Sequence, residues 1–249
     1  MMNNSNPPAG GERGKYKHLF FDLDHTIWDF DANSRNTLEE MYDGYKLESK
    51  GVHNFDLFHK NYLVHNDKLW DRYRKGYIKV DELRWKRMWL TLLDFKIADE
   101  PLSREMGIHF LDLLPTRNLL FPYTIEILDY LAEKNYQLHL ITNGFEKTQH
   151  SKIKNSGLDK YFMEVITSEG SNSLKPHKEI FDYAFQKTNA KPKESIMIGD
   201  SIEADILGAV NAGIDQVHVN HLTKEPVPVM ENKLPTYTVY SLKDLENIF

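Results

Sequence analysis

Asp22 and Asp24 stand two positions apart, just after a short apolar run, His18 to Phe21. In extended chain such side chains share a side. Two carboxylates so close repel, which favours keeping a proton on one of them. One is then suited to nucleophilic attack and the other to proton transfer. On a phosphate monoester, Asp22 would attack phosphorus and form an aspartyl-phosphate. Asp24 would protonate the leaving oxygen and then deprotonate the hydrolytic water.

Three further segments supply what that chemistry needs. Thr142-Asn143-Gly144 closes a second apolar run and opens a helical pattern. The Thr142 hydroxyl can donate to phosphate, Gly144 lets backbone come close, and the amides of a helix start favour anions. Lys175 precedes Pro176, which biases it toward extended backbone; its charge can stabilise Asp22 and the phosphoryl oxygens. Gly199-Asp200 follows a fourth apolar run. Asp22 and Asp200 offer oxygens to a hard cation, with water and phosphate completing the shell. Asp205 falls in the first turn of the next helix and reads as an outer-shell support. Singly, Thr142-Asn143-Gly144 and Lys175-Pro176 also read as an ordinary capped turn and a surface loop. It is the four segments together that point to chemistry.

The elements that position them alternate. Strand-like runs at His18–Phe21, Leu138–Ile141, Glu164–Thr167, Ser195–Ile198 and Gln216–Val219 are separated by helical patterns at Ile125–Ala132, Lys147–Ser156, Lys178–Thr188 and Ile202–Ala212. Alternation of this kind predicts a parallel sheet, with ligands at the carboxyl ends of its strands. From about Asn33 to Asn118 the alternation stops. Amphipathic helical patterns carry Trp70, Tyr73, Trp85, Met88 and Trp89, and predict an inserted helical lobe. Tyr237–Tyr240 and Ser241–Phe249 read as a last strand and a closing helix. The expected boundaries are a flexible tail over 1–14, a core from 15–32 and 119–249, and a cap over 33–118.

Composition narrows the classes. The 249 residues contain 41% hydrophobic residues, enough for a packed core. There is no cysteine, so thiol nucleophiles and thiolate metal sites are excluded. A net charge of −6 argues against a general nucleic-acid surface. No apolar run is long enough to span a membrane, and the first residues, rich in Asn, Pro and Gly, do not resemble a signal peptide. A cytoplasmic location is expected. The 11 histidines form no metal signature; His53, His59 and His65 are six apart, wrong for one helical face.

Asp22-Leu23-Asp24-His25-Thr26, Thr142, Lys175 and Gly199-Asp200-Ser201-Ile202-Glu203-Ala204-Asp205, in this order, resemble the four motifs of the haloacid dehalogenase-like (HAD) hydrolase superfamily. The resemblance implies an α/β fold, a Rossmann-like parallel-sheet core with an inserted α-helical cap. It implies Asp22 as nucleophile, Asp24 as acid/base, and Thr142 and Lys175 at the phosphate, with Asn143 and Gly144 beside them. Mg²⁺ would rest on Asp22, the backbone carbonyl of Asp24, and Asp200. His25 departs from the glycine common at its position. Asp24 argues against dehalogenation, since dehalogenase members usually lack it. Ile141-Thr142-Asn143-Gly144-Phe145, Ile180-Phe181-Asp182-Tyr183-Ala184 and the run Asp205 to Gly213 resemble the pyrimidine 5′-nucleotidase branch. A small phosphate monoester, a nucleotide, is then the expected substrate, with Tyr73, Arg84 and Arg87 as first guesses for cap contacts. Sugar-phosphate phosphatases and phosphomutases are the alternatives, and a 2-haloacid dehalogenase is more remote.

Overall fold

The strand β1 (His18–Phe21) is buried along its whole length. That is the expected environment of a central strand covered on both faces. In the computed structural model, which describes residues 14–222 and 235–249, five more strands join it. They are β2 (Gln137–Thr142), β3 (Glu164–Thr167), β4 (Ser195–Gly199), β5 (Asp215–Val219) and β6 (Tyr237–Val239). Every pairing is parallel, in the order β3-β2-β1-β4-β5-β6. The chain therefore winds outward in both directions from β1. The carboxyl ends of β1 and β4 flank the point where the winding reverses, where open α/β sheets bind ligands. The tail expected over 1–14 lies outside the described residues, apart from Gly14.

The helices are α1 (Phe30–Gly44), α2 (Phe55–Arg74), α3 (Val80–Asp94), α4 (Glu100–Leu113), α5 (Thr124–Glu133), α6 (Glu146–Asn155), α7 (Ser168–Ser171), α8 (Lys178–Thr188) and α9 (Gly208–Ala212). Ile180, Phe181 and Ala184 of α8 bury against Phe20, Ile141 and Met197 of the sheet. This is the apolar face that the period of α8 predicts. Two expected helices come out differently. Ile202–Ala212 opens as a π-helical turn over Ile202–Leu207 before α9, and the closing segment is a 3-10 helix, Leu242–Asn247. The π turn has a local reason. Its widened ring lets the side chain of Asp205 fold back onto the backbone N–H of Ser201, 3.0 Å away.

Contacts divide the chain into two compact units. One contains the sheet and is built from the chain up to Asp29, Leu120–Glu146 and Gly157–Phe249; the other is Phe30–Leu119 with Lys147–Ser156. In the second unit Asn54 and Asp99 cap α2 and α4 by accepting from Leu57 and Leu102. Lys152 of α6 lies 5.7 Å from the ring of Phe30, and Asn155 donates to the Pro115 carbonyl at 2.7 Å. The expected aromatic group forms two pairs, Trp70 with Tyr73 and Trp85 with Trp89, and the Arg104 guanidinium covers Trp85 at 3.9 Å. Arg87, one of the guessed cap contacts, lies within the packing of the helical unit. It is buried inside the helical unit, donating to Asn66 at 3.1 Å, Tyr62 at 3.3 Å and the Leu83 carbonyl at 3.1 Å. The bonds to Asn66 and Tyr62 tie α3 to α2. Among the described residues no helix is long and apolar enough to cross a membrane.

β1 and β2 also bury a histidine pair. His18 Nδ1 and His139 Nε2 lie 3.1 Å apart with the rings stacked at 5.4 Å. Burial, then the charge of His18, lowers His139 from 6.5 to about 4. The unfolded chain therefore takes up a proton near pH 6.5 that the folded chain refuses. The stabilisation is full above pH 6.5 and is lost as pH falls toward 4, on the order of 3 kcal/mol across that window. Urea midpoints measured from pH 7 to 4.5 should fall accordingly, and a His139→Phe variant should lose most of that slope. An unchanged slope would refute the assignment.

Candidate active site

The site is built at the carboxyl ends of β1, β2 and β4 in the sheet unit, around one buried ammonium group. Lys175 is 1% exposed. Its Nζ donates to Asp22 Oδ1 at 2.5 Å, to the Ile141 carbonyl at 2.6 Å and to Asp205 Oδ1 at 2.6 Å. Those three acceptors match the three protons of an ammonium ion. Burial alone would lower the affinity of Lys175 for its proton. The Asp205 and Asp22 carboxylates outweigh burial and raise it above the ordinary lysine range.

The backbone of Lys175 is fixed just as closely. Asn143 Nδ2 donates to the Lys175 carbonyl at 2.9 Å, and the Lys175 N–H donates to Asn143 Oδ1 at 2.7 Å. This two-point bracket engages both ends of the Asn143 amide. It joins the segment after β2 to the loop that presents the lysine. Ser168 holds the same turn, its hydroxyl donating to the Asn143 carbonyl at 3.1 Å. The buried Thr142 Oγ1 accepts from the Gly144 N–H at 3.2 Å.

Asp22 is buried at the end of β1, and its N–H donates across to the Ile198 carbonyl of β4 at 2.9 Å. Asp24 is half-buried in the turn that follows. In that turn the N–H groups of Ile27 and Trp28 return to the Leu23 carbonyl, and the His25 N–H donates to the Trp28 carbonyl. His25 sits at φ +64, in the left-handed region. A side chain there costs about 1–2 kcal/mol, so glycine would suit the position better.

After β4, Asp200 is locked to Thr26 by two bonds. The Thr26 hydroxyl donates to Asp200 Oδ1 at 3.0 Å and accepts from the Asp200 N–H at 3.1 Å. Thr26 lies in the first motif, but the sequence alone assigned it no task. Asp205 takes Lys175 on Oδ1 and the Ser201 N–H on Oδ2. A methyl group at Gly199 would sit 2.2 Å from Asp205 Oδ2 and 2.7 Å from its Cβ. Only glycine leaves room for this carboxylate.

Carboxylate oxygens of Asp22, Asp200 and Asp205 come within 4.8 Å of one another. Burial first, and then the surrounding acids, push Asp22 well up despite Lys175. Burial and the charge of Asp205 push Asp200 up to about 7. Three carboxylates around one ammonium leave a surplus of negative charge, which fits a hard cation with oxygen ligands. Both oxygens of Asp205 are already engaged, so Asp22 and Asp200 are the acids suited to direct ligation. Two histidines from β5 and its end complete the surroundings. His218 Nε2 lies 3.0 Å from the Asp200 carbonyl, and His221 Nε2 lies 2.6 Å from the His25 carbonyl. Neither stood out in the sequence; their place at the end of a predicted strand was the available signal.

A fold wound outward from β1, with paired acids and a lysine at its switch point, defines a class of hydrolase. The family model for haloacid dehalogenase-like hydrolases matches residues 16–213, and the chain belongs to that family. It is 33% identical to the pyrimidine 5′-nucleotidase PynA of Streptococcus pneumoniae, over 92% of this chain and 93% of that protein. It is 31% identical to the pyrimidine 5′-nucleotidase YjjG of Escherichia coli, over 94% and 98% respectively. A crystal structure of the HAD-hydrolase YfnB from Bacillus subtilis, bound to magnesium, superposes with a TM-score of 0.82 at 27% identity, over 94% of this chain and 98% of that one. The chain is thus an enzyme of the family's phosphatase type.

A Gly199→Ala variant should displace Asp205 and loosen Lys175. Activity should fall about 100-fold, the scale of a 1 Å misplacement at a reacting centre, with circular dichroism little changed. Activity within about threefold of the parent would show that Asp205 has room to move.

Proposed function

We propose that the chain is a Mg²⁺-dependent phosphomonoesterase acting through an aspartyl-phosphate on Asp22, and that its substrates are pyrimidine nucleoside 5′-monophosphates. The observation that carries the chemistry is the buried Asp22 carboxylate, held by Lys175 beside Asp200, with Asp24 two residues on. The printed activities of PynA and YjjG support the substrate class.

In the first half-reaction an Asp22 oxygen attacks phosphorus and the bond from phosphorus to the leaving oxygen breaks. Protonated Asp24 donates to that oxygen, so the alcohol leaves neutral. In the second half, Asp24 as carboxylate takes a proton from water. The water oxygen attacks phosphorus, the bond to Asp22 breaks, and phosphate is released. Lys175, whose three protons are taken, stabilises negative charge on Asp22 by contact and on the phosphoryl oxygens through its positive charge alone. The Asn143 side chain is committed to Lys175. Its part is therefore to fix the lysine, while Thr142 and the backbone around Gly144 receive the phosphate. Mg²⁺, held by Asp22, Asp200 and the Asp24 carbonyl, would neutralise the surplus charge and polarise the phosphoryl group; the magnesium in YfnB supports that choice. We read the sheet unit as the catalytic core and the helical unit as its cap.

Phosphate release from UMP, dUMP, dTMP, AMP, several sugar phosphates and p-nitrophenyl phosphate tests this reading. With Mg²⁺, pyrimidine nucleotides should be preferred, and chelator should abolish release. Asp22→Asn should be inactive, and Asp24→Asn should be slowed roughly 10²- to 10⁴-fold. Preference for a sugar phosphate would discard the substrate class, and release that survives Asp22→Asn would discard the nucleophile.

A further inference from the structure

We infer that His218 and His221 are positioning residues, a two-point brace that sets the carboxylate-bearing loops from β5 and the residues just past it. The inference rests on the phosphatase reading of the site and adds to it two residues that no motif contains.

The brace stands on a rigid strand. His218 lies in β5, opposite Gly199 of β4 and Thr238 of β6. On the β6 side the pairing runs on past the strand end, where the Asn220 N–H donates to the Val239 carbonyl at 2.8 Å, one residue before His221. From this support two ring nitrogens reach two carbonyls in two different loops. His218 Nε2 donates to the carbonyl of Asp200, the residue that follows β4. His221 Nε2 donates to the carbonyl of His25, the residue after Asp24. A carbonyl accepts only, so both rings carry a proton on Nε2.

Each bond acts where the loop needs it. His25 holds a left-handed conformation that its side chain disfavours, and the bond from His221 satisfies its carbonyl there. The ring of His221 also lies 4.0 Å from the ring of Phe121, which limits its own movement. At the other loop, the Thr26 hydroxyl fixes the Asp200 carboxylate and N–H, and His218 fixes the carbonyl of the same residue. Together these hold Asp200 at three polar points. The Asp24 and Asp200 backbones are thus referenced to one strand. Their separation, on which the ligation of a small cation with strict geometry depends, is set there.

The test compares His218→Leu and His221→Leu, which lose the donor, with His218→Gln and His221→Gln, which keep an N–H. Mg²⁺ binding is measured by calorimetry on the substrate-free enzyme, and kcat and KM are measured separately. The Leu variants should bind Mg²⁺ about tenfold or more weakly and lose kcat more than KM, and the Gln variants should recover most of both. Should a Leu variant not fold, His→Asn, whose amide falls short of the carbonyl, takes its place. Leu or Asn variants that bind Mg²⁺ like the parent overturn the brace, as do Gln variants as impaired as Leu. A parent that neither binds Mg²⁺ nor releases phosphate overturns the phosphatase reading and the brace with it.

Discussion

The site depends on a buried ammonium ion with no proton left over. Removing Lys175 from water is costly unless every donor finds a partner in good geometry. Asp22, Asp205 and the Ile141 carbonyl meet that requirement. Much of the nearby chain then follows from it. Asn143 brackets the lysine backbone so that the ammonium arrives in one place. The π turn and Gly199 admit the Asp205 carboxylate from below. Asp22, at the end of the central strand, is held on the other side of the same charge.

The same arrangement leaves the cluster electrically unfinished. One ammonium faces three carboxylates, and burial amplifies their mutual repulsion. Asp205 has both oxygens engaged, by Lys175 and by the Ser201 N–H. Asp22 and Asp200, the two acids at the switch point of the sheet, are the ones whose second oxygens are not taken by Lys175 or Thr26. A site that must receive a phosphate dianion has to overcome that field. A cation with oxygen ligands would meet both demands, satisfying the acids and drawing an anionic substrate.

Much of this was legible in the chain. Apolar runs ending in Asp22, Thr142 and Gly199 marked strands, and two of the strands, His18–Phe21 and Glu164–Thr167, have the expected bounds. Parallel order followed from the alternation with helices. What misled was local. Nothing in the spacing of Arg87 announces that its guanidinium bonds Asn66 and Tyr62 inside the helical unit. Ile202–Ala212 has the pattern of one helix, but the demand on Asp205 widens its first turn. Periodicity records which face is buried and carries no information about a side chain that must turn back on its own backbone.

Chemistry that resides in residue type and short spacing was determined by the sequence alone. Asp22 and Asp24 two apart, a lysine before proline, and an acid after a strand-end glycine carry that meaning together and in this order, each segment only a few residues long. The tertiary structure decided how they are held. Lys175 lies 153 positions from Asp22 and 30 from Asp205, Thr26 lies 174 from Asp200, and His221 lies 196 from His25. Such contacts arise from the winding order of the sheet and the register of β4 and β5. Hydrogen bonds depend on tenths of an ångström, and only the folded chain brings such distant residues that close.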